Sequence, residues 1–292
     1  MKMQSYIGAH ISKESGSLIK TMEVIQKNGG NALQLFVSNP RSASLPNMQV
    51  YKEASDEIQE YCKANDFKLV IHASYTINLA KEPKEGKRRL EWSDCYWNNL
   101  ILHELIVANM IGAIGVVVHV GKHTSSKPDD ATMIMYHCIS HIISRMHELK
   151  LKSKLIIETP AGAGTELLTD VHDFLRFYNM FDATQKKYLG ICVDTAHIWS
   201  AGYDINEYYD IVKETNAKDI LVIHYNNSKK DKNSHVDTHE TLFDGLIPLD
   251  SLKQFIEKLT NQPIIILEKP SNNMKKEFQF IQELTTSATR SK

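Results

Sequence analysis

The sequence predicts a (β/α)8 barrel, and three observations lead to that fold class. The 292-residue chain contains eight short, β-branched apolar runs at fairly even intervals. These runs are almost continuously apolar, which is typical of parallel strands covered on both faces. Segments of helical periodicity separate them, and this repeated alternation of strand and helix is the pattern of the barrel. We therefore expect one α/β domain over residues 1–292, a TIM barrel with its site at the C-terminal ends of the strands.

The predicted strands follow one another along the whole chain. They are YIGAH (6–10), ALQLFVS (32–38), KLVIHAS (68–74), GVVVHVG (115–121), KLIIETP (154–160), LGICVD (189–194), DILVIHYNN (219–227) and PIIILEKP (263–270). A doubly wound open sheet is the alternative arrangement, but no GxGxxG motif follows the first strand to support it.

Helical periodicity predicts the elements between the strands. In the first of them Leu18, Met22 and Ile25 share one face, and Gly29–Gly30 form a C-terminal stop. The charged and then apolar stretch 85–111 is expected to form one or two helices. Further helices are expected at 129–149, 166–180, 205–215, 249–260 and 273–285.

Composition bounds the class of protein. The formal net charge of −1 and the pI of about 6.9 give no global basic field, so binding of a polyanion must come from local clusters. The four cysteines form no CxxC pair, which argues against a disulfide framework and a thiolate zinc site. Neither a signal-peptide core nor a long apolar span is evident. We expect a soluble intracellular protein of the cytoplasm or nucleus, not a secreted or membrane protein.

Ionisable side chains terminate seven of the eight predicted strands. A single histidine there is more often a satisfied core residue, whereas a carboxylate is rarely buried without a partner. Taken together, these residues indicate a polar site at one end of the barrel, because ionisable side chains would not stabilise an apolar core. The strand-end residues are His10, His72, His119, Glu158, Asp194, His224 and Glu268, and the adjoining loops add His197, Asp237 and His239.

Imidazole and carboxylate without thiolate form the ligand mix of zinc, manganese or iron. Several carboxylates packed together would repel and protonate unless cations were present. Up to nine candidate ligands exceed the needs of one tetrahedral zinc, so two or three ions are the economical explanation. Such a site suits phosphodiester hydrolysis, although amide hydrolysis and sugar isomerisation use similar ions.

Ordered blocks along nearly the whole chain resemble the endonuclease IV family, the zinc-dependent apurinic/apyrimidinic endonucleases of DNA repair. The longest and most specific block is DTAHIWSAGYD. The blocks are IGAHIS (7–12), FVSNPRS (36–42), HASYTINLA (72–80), ETPAGAG (158–164), DTAHIWSAGYD (194–204) and HYNNSKKDKNSHVDTH (224–239).

The resemblance implies three zinc ions, with Mn²⁺ as an option at one or more positions. It assigns His72, His119 and Glu158 to the first ion. Glu158 bridges to a second, completed by Asp194, His224 and Glu268, and the third is held by His197, Asp237 and His239. All nine positions carry the expected residue type. The metal-binding Glu158 and Glu268 are the carboxylates assigned to catalysis.

The resemblance also implies the substrate, which is duplex DNA containing an abasic site or a blocked 3′ end. Hydrolysis 5′ to the abasic site would leave a 3′-hydroxyl and a 5′-deoxyribose phosphate, and the protein would act as a monomer. DNA must bend and the nucleotide must flip out to reach a recessed site. Arg41 and Tyr75 are expected to insert into the base stack, with Lys229 and Lys230 near the phosphates. A packed rim aromatic and a solvated loop are the ordinary alternatives for Tyr75 and the lysines.

Three departures from the family pattern concern the loop after the seventh strand. Asn227 replaces an aspartate, Thr238 replaces an arginine, and ETLFDG (240–245) replaces a glycine-rich run. Metal binding should survive because the ligands remain, but the lost arginine removes an expected phosphate contact. His10, outside the nine, is expected to orient a ligand through a hydrogen bond. The KEGKRR stretch (84–89) is expected to be helix surface rather than a DNA contact.

Two other functions compete with the nuclease. A sugar isomerase or epimerase would share the barrel and similar ligands, but the third set of ligands argues against it. A non-catalytic binder of damaged DNA is the other alternative, and the intact Glu158 and Glu268 argue against that.

Overall fold

The computed structural model describes residues 5–13, 16–259 and 261–290, and its centre is a closed barrel of eight parallel strands. Each strand pairs with the strands before and after it, and β8 closes onto β1, which confirms the predicted fold class. The strands are β1 Ile7–His10, β2 Ala32–Leu35, β3 Lys68–His72, β4 Gly115–His119, β5 Lys154–Glu158, β6 Leu189–Asp194, β7 Ile220–His224 and β8 Ile264–Leu267.

Helices connect the strands and cover the outside of the barrel. They are α1 Leu18–Lys27, α2 Met48–Ala64, α3 Tyr96–Met110, α4 Pro128–Glu148, α5 Val171–Tyr178, α6 Thr195–Ser200, α7 Ile205–Asn216, α8 Leu249–Glu257 and α9 Met274–Arg290. Within the described part of the chain, no helix has both the length and the apolar character needed to cross a membrane.

Two helical segments differ from the prediction. Helix α2 is not among the predicted helices, because its buried apolar side chains are only Tyr51 and Ile58 among many charged positions. The stretch 85–111 does not begin as a helix. Lys84–Glu85 pairs antiparallel with Arg88–Arg89 around Gly86, whose φ of +59° suits a glycine turn. The 84–89 stretch is therefore an exposed hairpin rather than a helix surface, and the helix starts only at Tyr96.

Helix α5 is also shorter than the predicted 166–180. It begins at Val171 because the Asp170 carboxylate accepts hydrogen bonds from the backbone N–H groups of His172 and Asp173, which caps the helix. Residues before Asp170 belong to the loop that follows β5. That loop contributes to the mouth of the barrel.

The barrel interior is apolar at its centre and polar at its C-terminal end. The buried interior layer contains Ala32, Val70, Val117, Ile156, Cys192, Val222, Ile264 and Ile266. Because side chains of a strand alternate between two faces, the residue two positions later points into the same interior. Those later positions are Gln34, His72, His119, Glu158, Asp194, His224 and Glu268. The pleat of the strands thus delivers the polar residues to one place.

Candidate metal centre

Three groups of ligand atoms lie side by side at the C-terminal end of the barrel. Within each group every ligand atom is within 4.8 Å of the others. The groups are His72, His119 and Glu158; then Glu158, Asp194, His224 and Glu268; then Asp194, His197 and His239. Asp237 joins the third group, with its Oδ1 lying 3.1 Å from Nε2 of His197 and 3.5 Å from Nε2 of His239. The nine residues singled out from the sequence therefore converge.

Glu158 belongs to two of these groups at once. Its Oε1 accepts a hydrogen bond of 2.6 Å from Nδ1 of His224. Its Oε2 lies 3.2 Å from Nε2 of His119 and 3.7 Å from Nε2 of His72. Because its two oxygens face different ligand sets, Glu158 would serve both sets if each held a cation.

Two histidines are oriented by hydrogen bonds that leave one ring nitrogen free to face the cluster. Nδ1 of His72 donates to the carbonyl of Ala73 (2.8 Å), and Nδ1 of His197 donates to that of Thr159 (2.9 Å). These contacts fix the tautomer, so that the neutral ring presents Nε2 as a lone pair. Bonds of this kind are typical of histidines that ligate metals.

The polar atoms of the cluster fit a bound cation better than they fit one another. Glu158 Oε2, His197 Nε2 and His239 Nε2 are buried and have no hydrogen-bond partner among the described residues. Buried polar atoms are rarely left unpaired, because each costs about 1–3 kcal/mol. A set of oxygens and imidazole nitrogens that all point inward is the donor set of a zinc or manganese site.

Charges within the cluster are strongly interdependent. Burial raises the pKa of Glu158, but the neighbouring His224 and His119 outweigh it and hold that pKa well below its usual range. Burial lowers the pKa of His197, yet Asp194 and Asp237 hold it well above the ordinary histidine value. A cation competes with protons for these nitrogens, so metal affinity should increase with pH.

Cys192 lies beside this cluster but lacks the character of a ligand. Its Sγ atom lies within 4.8 Å of a ligand atom of Glu158 and of a ligand atom of His224. Burial raises the pKa of Cys192 to about 12, so the side chain stays a neutral thiol at physiological pH. The expectation of a site without thiolates therefore agrees with the surroundings of this cysteine.

The sequence DTAH owes its spacing to a helix start at the end of β6. Asp194 is the N-cap of α6, and its Oδ1 accepts a hydrogen bond of 2.8 Å from the backbone N–H of His197. Its Oδ2 remains directed at the cluster, 3.7 Å from Nδ1 of His224. Asp194 therefore caps the helix and belongs to the second and third ligand groups. The first turn of the helix places His197 in the third group.

Two residues that the sequence reasoning missed organise the cluster. Gln34 is fully buried; its Oε1 accepts from Nε2 of His224 (2.8 Å), and its Nε2 donates to Glu268 Oε1 (3.0 Å). Asn226 Nδ2 donates to Asp194 Oδ2 (2.7 Å) and to Glu268 Oε2 (3.1 Å). The signal for Gln34 was present, since it is a polar residue inside an apolar strand, two positions after Ala32.

His10, which was expected to orient a ligand through a hydrogen bond, lies at hydrogen-bond distance from Gln34 rather than from a proposed ligand. Its Nδ1 lies 3.1 Å from Nε2 of Gln34 and 3.9 Å from Oε1 of Glu268. It therefore adjoins a ligand without belonging to any of the three ligand groups.

An open cleft of about 640 Å³ lies above the cluster. Its wall includes His119, His239 and Glu268 together with Tyr75. Tyr75 is 58% exposed, and its ring packs edge-on against His72 and His119. The ring of Tyr75 therefore packs against the proposed metal ligands and is also exposed to solvent, so it can contact a molecule bound in the cleft.

The other predicted DNA-contacting residues lie on exposed loops. Arg41 follows β2, and its backbone N–H donates to Oδ1 of Asn39. Lys229 and Lys230 follow β7, where the carbonyl of Lys230 accepts from Nε1 of Trp199. All three residues are exposed on loops at the C-terminal side of the barrel, the side that carries the cleft.

Comparison with known proteins first assigns the chain to a class of proteins defined by its barrel. The family model of the xylose isomerase-like TIM barrel matches residues 22–284. A relative described as a probable endonuclease 4, from Pediococcus pentosaceus, is 30% identical over 278 residues, which cover 90% of this chain and 87% of the relative. The chain belongs to the endonuclease IV family, a group of nucleases within that larger class.

Solved structures share the fold. Endonuclease IV from Thermus thermophilus superposes with a TM-score of 0.72 at 22% identity, covering 98% of this chain and 100% of that one. A D-tagatose 3-epimerase-like protein gives 0.71 at 17% identity, covering 98% and 99%. At these identities the likeness establishes the barrel alone, so the reaction has to be argued from the residues.

Proposed function

We propose that the protein is a DNA-repair endonuclease that hydrolyses the phosphodiester 5′ to an abasic site in duplex DNA. The products would be a 3′-hydroxyl and a 5′-deoxyribose phosphate. The same hydrolysis would remove blocking groups from 3′ ends. The observation that carries the proposal is the continuous cluster in which Glu158 and Asp194 each face two ligand sets beneath an open cleft.

The nine residues of the cluster are the proposed ligands of three zinc ions, with manganese as an option. When bound, such ions activate water and neutralise the charge that develops on a phosphate ester. We propose Glu158 and Glu268 as the carboxylates at the centre of this chemistry. Gln34 and Asn226 keep Glu268 in place by donating to its two oxygens.

Substrate recognition is assigned to the cleft wall and the adjoining loops. Tyr75 offers an exposed ring that can stack on a base, and Arg41 offers a cation on the neighbouring loop. Lys229 and Lys230 are proposed to lie near phosphates. The net charge of −1 leaves local basic residues as the source of DNA affinity.

The proposed acting unit is one domain, residues 1–292, which works as a monomer on DNA inside the cell, in the cytoplasm or nucleus. The symmetry of an oligomer plays no part in the proposal, because one chain supplies all nine proposed ligands.

The first experiment uses a labelled duplex containing one tetrahydrofuran abasic mimic, which resists β-elimination. Incision 5′ to the mimic should occur with zinc-loaded protein, disappear after chelation and return with zinc. Glu268→Gln should abolish incision while the protein still binds the duplex. Tight binding of the duplex by the zinc-loaded wild type without incision would favour a damage-binding protein over an enzyme.

The sugar isomerase alternative is disfavoured by the third ligand set. Asp194, His197, His239 and Asp237 converge beside the other two groups, and an isomerase needs fewer metals. Neither incision nor binding of the duplex, together with turnover of a ketose, would favour that alternative.

A further inference from the structure

The two loops that carry Arg41 and Tyr75 are tied to each other. We call residues 36–42 the β2 loop and residues 73–76 the β3 loop. The backbone N–H of Tyr75 donates to the carbonyl of Pro40 over 2.9 Å. The backbones that carry the two proposed DNA-contacting side chains are therefore held next to each other.

Ser74 is the hub of this connection. Its hydroxyl lies 3.1 Å from the carbonyl of Pro40, 3.3 Å from that of Ser42 and 3.4 Å from that of Asn39. It also lies 2.9 Å from the hydroxyl of Thr76, which donates to Ser42 in turn (3.2 Å). One hydroxyl proton cannot bond to all of these oxygens at once. The contacts between the two loops therefore depend on where the backbone of Ser74 places this hydroxyl.

That backbone is held from below by Glu104 of helix α3. Glu104 is fully buried, and its Oε1 accepts hydrogen bonds from the hydroxyl of Ser38 in the β2 loop and from the backbone N–H of Ser74 in the β3 loop. One oxygen thus contacts both loops from within the core.

This carboxylate is costly to bury. Among the described residues no lysine, arginine or histidine lies within salt-bridge distance of Glu104, and its Oε2 has no hydrogen-bond partner. A buried, unneutralised carboxylate is unfavourable, and an apolar residue of similar size would pack against the barrel at lower cost. What an apolar residue cannot supply is the acceptor shared by the two loops.

We propose that Glu104 is a positioning residue that aligns Arg41 with Tyr75, through Ser38 and Ser74, for insertion into the abasic duplex. The inference rests on the proposed function. Glu104 does not line the cleft and belongs to none of the ligand groups. It acts through the spacing of the β2 and β3 loops.

The test compares two substrates of zinc-loaded Glu104→Ala. One is the tetrahydrofuran duplex; the other is bis(p-nitrophenyl) phosphate, a small diester that requires the metal cluster but neither loop. The measured quantity is the ratio of kcat/KM for the duplex to kcat/KM for the diester. We expect this ratio to fall about tenfold or more, because small misplacements of binding groups are costly. Glu104→Gln, which keeps an acceptor at Oε1, should restore most of the ratio.

Asn98→Ala is the matched control. Asn98 is a buried polar residue of the same helix, and it contacts Cys138 of α4 rather than either loop. Its loss should destabilise the protein and leave the ratio at the wild-type value. In a Tyr75→Ala background, Glu104→Ala should lower duplex cleavage less than it does alone, since both changes act on one element.

An unchanged ratio in Glu104→Ala, or a fall equal to that of Asn98→Ala, would overturn the inference while wild-type cleavage of the duplex upheld the proposed function. Wild-type protein that hydrolyses the diester but never the duplex would overturn the proposed function itself, and this inference with it.

Discussion

Gln34 and Glu268 are separated by 234 positions in the chain, yet Nε2 of Gln34 donates to Oε1 of Glu268 over 3.0 Å. The contact crosses β1, which lies between β2 and β8. The other end of the same amide accepts from His224. One uncharged side chain of the barrel interior therefore orients two proposed ligands of the central ion.

Gln34→Leu should lower zinc affinity by about tenfold to a hundredfold, the usual effect of losing a residue that orients metal ligands. Leucine fills a similar volume but frees the His224 ring to flip and Glu268 to turn. The measurement is zinc retained per chain after dialysis against buffered zinc. Val70→Ala, an interior change two positions before the end of β3, should cost stability and retain zinc. Equal retention by Gln34→Leu and wild type would contradict the assignment.

The sequence predicted the barrel and the six ligands at its strand ends because both depend on local patterns. Continuous apolar runs mark the strands, and a fixed period of two carries each strand-end residue into the same interior as the apolar residue before it. The loop residues Asp237 and His239 were candidate ligands by residue type, but their assignment to the third ion came only from the family resemblance. Their placement depends on the chain path after β7, which no periodicity encodes.

The residues that were missed depend on tertiary contacts. Helix α2 has few buried apolar positions, and the hairpin at 84–89 forms where charge alone resembled a helix surface. Glu104 sits within a predicted helix, and nothing in the sequence indicates that a carboxylate there is buried beneath two loops. The hydrophobic pattern of a sequence does not show which polar residues form buried hydrogen bonds to distant parts of the chain.

Removal of metal should destabilise the whole barrel. Glu158, Asp194 and His224 are fully buried, and a cation that binds them binds only the folded state. Chelated protein should melt several degrees lower than zinc-loaded protein, and added zinc should restore the melting temperature. Elemental analysis should find about three zinc ions per chain at saturation. Saturation at a single ion, with full thermal recovery, would be incompatible with a three-ion cluster.

Glu104 should make stability depend on pH in a direction opposite to most carboxylates. Burial raises its pKa to about 7 from the ordinary 4.5, against the opposing hydrogen bonds from Ser38 and Ser74. The folded state therefore holds this proton more tightly than the unfolded state. Its contribution to stability is complete below about pH 4.5 and is lost as the pH rises to about 7.

The loss amounts to about 3 kcal/mol, since the pKa rises from 4.5 to about 7 and each pKa unit is worth about 1.36 kcal/mol. Glu104→Gln cannot ionise and should escape it. Urea denaturation of metal-free protein at about pH 5 and pH 8 should show the variant gaining stability relative to wild type as the pH rises. Glu57→Gln, an exposed change on α2, should track wild type. Parallel profiles for wild type and Glu104→Gln would show that Glu104 does not carry the effect.

Thr238 stands where the resemblance to the endonuclease IV family leads us to expect an arginine. It lines the cleft between the proposed ligands Asp237 and His239, and its hydroxyl is buried without a partner among the described residues. Thr238→Arg should therefore restore a phosphate contact and strengthen binding of the abasic duplex. Each neutralised phosphate steepens the dependence of log K on log salt by about 0.9.

Fluorescence anisotropy of the tetrahydrofuran duplex, titrated at several salt concentrations, measures both quantities. The arginine variant should bind more tightly at low salt, with a slope steeper by about one. Met180→Arg adds the same charge at an exposed position beyond the C-terminal end of α5, away from the cleft, and should change the slope little. An identical rise in affinity for both variants would mean that net charge, rather than a contact at position 238, limits binding. A steeper slope for Thr238→Arg alone would locate a DNA phosphate beside the third ligand set, where His197, Asp237 and His239 meet.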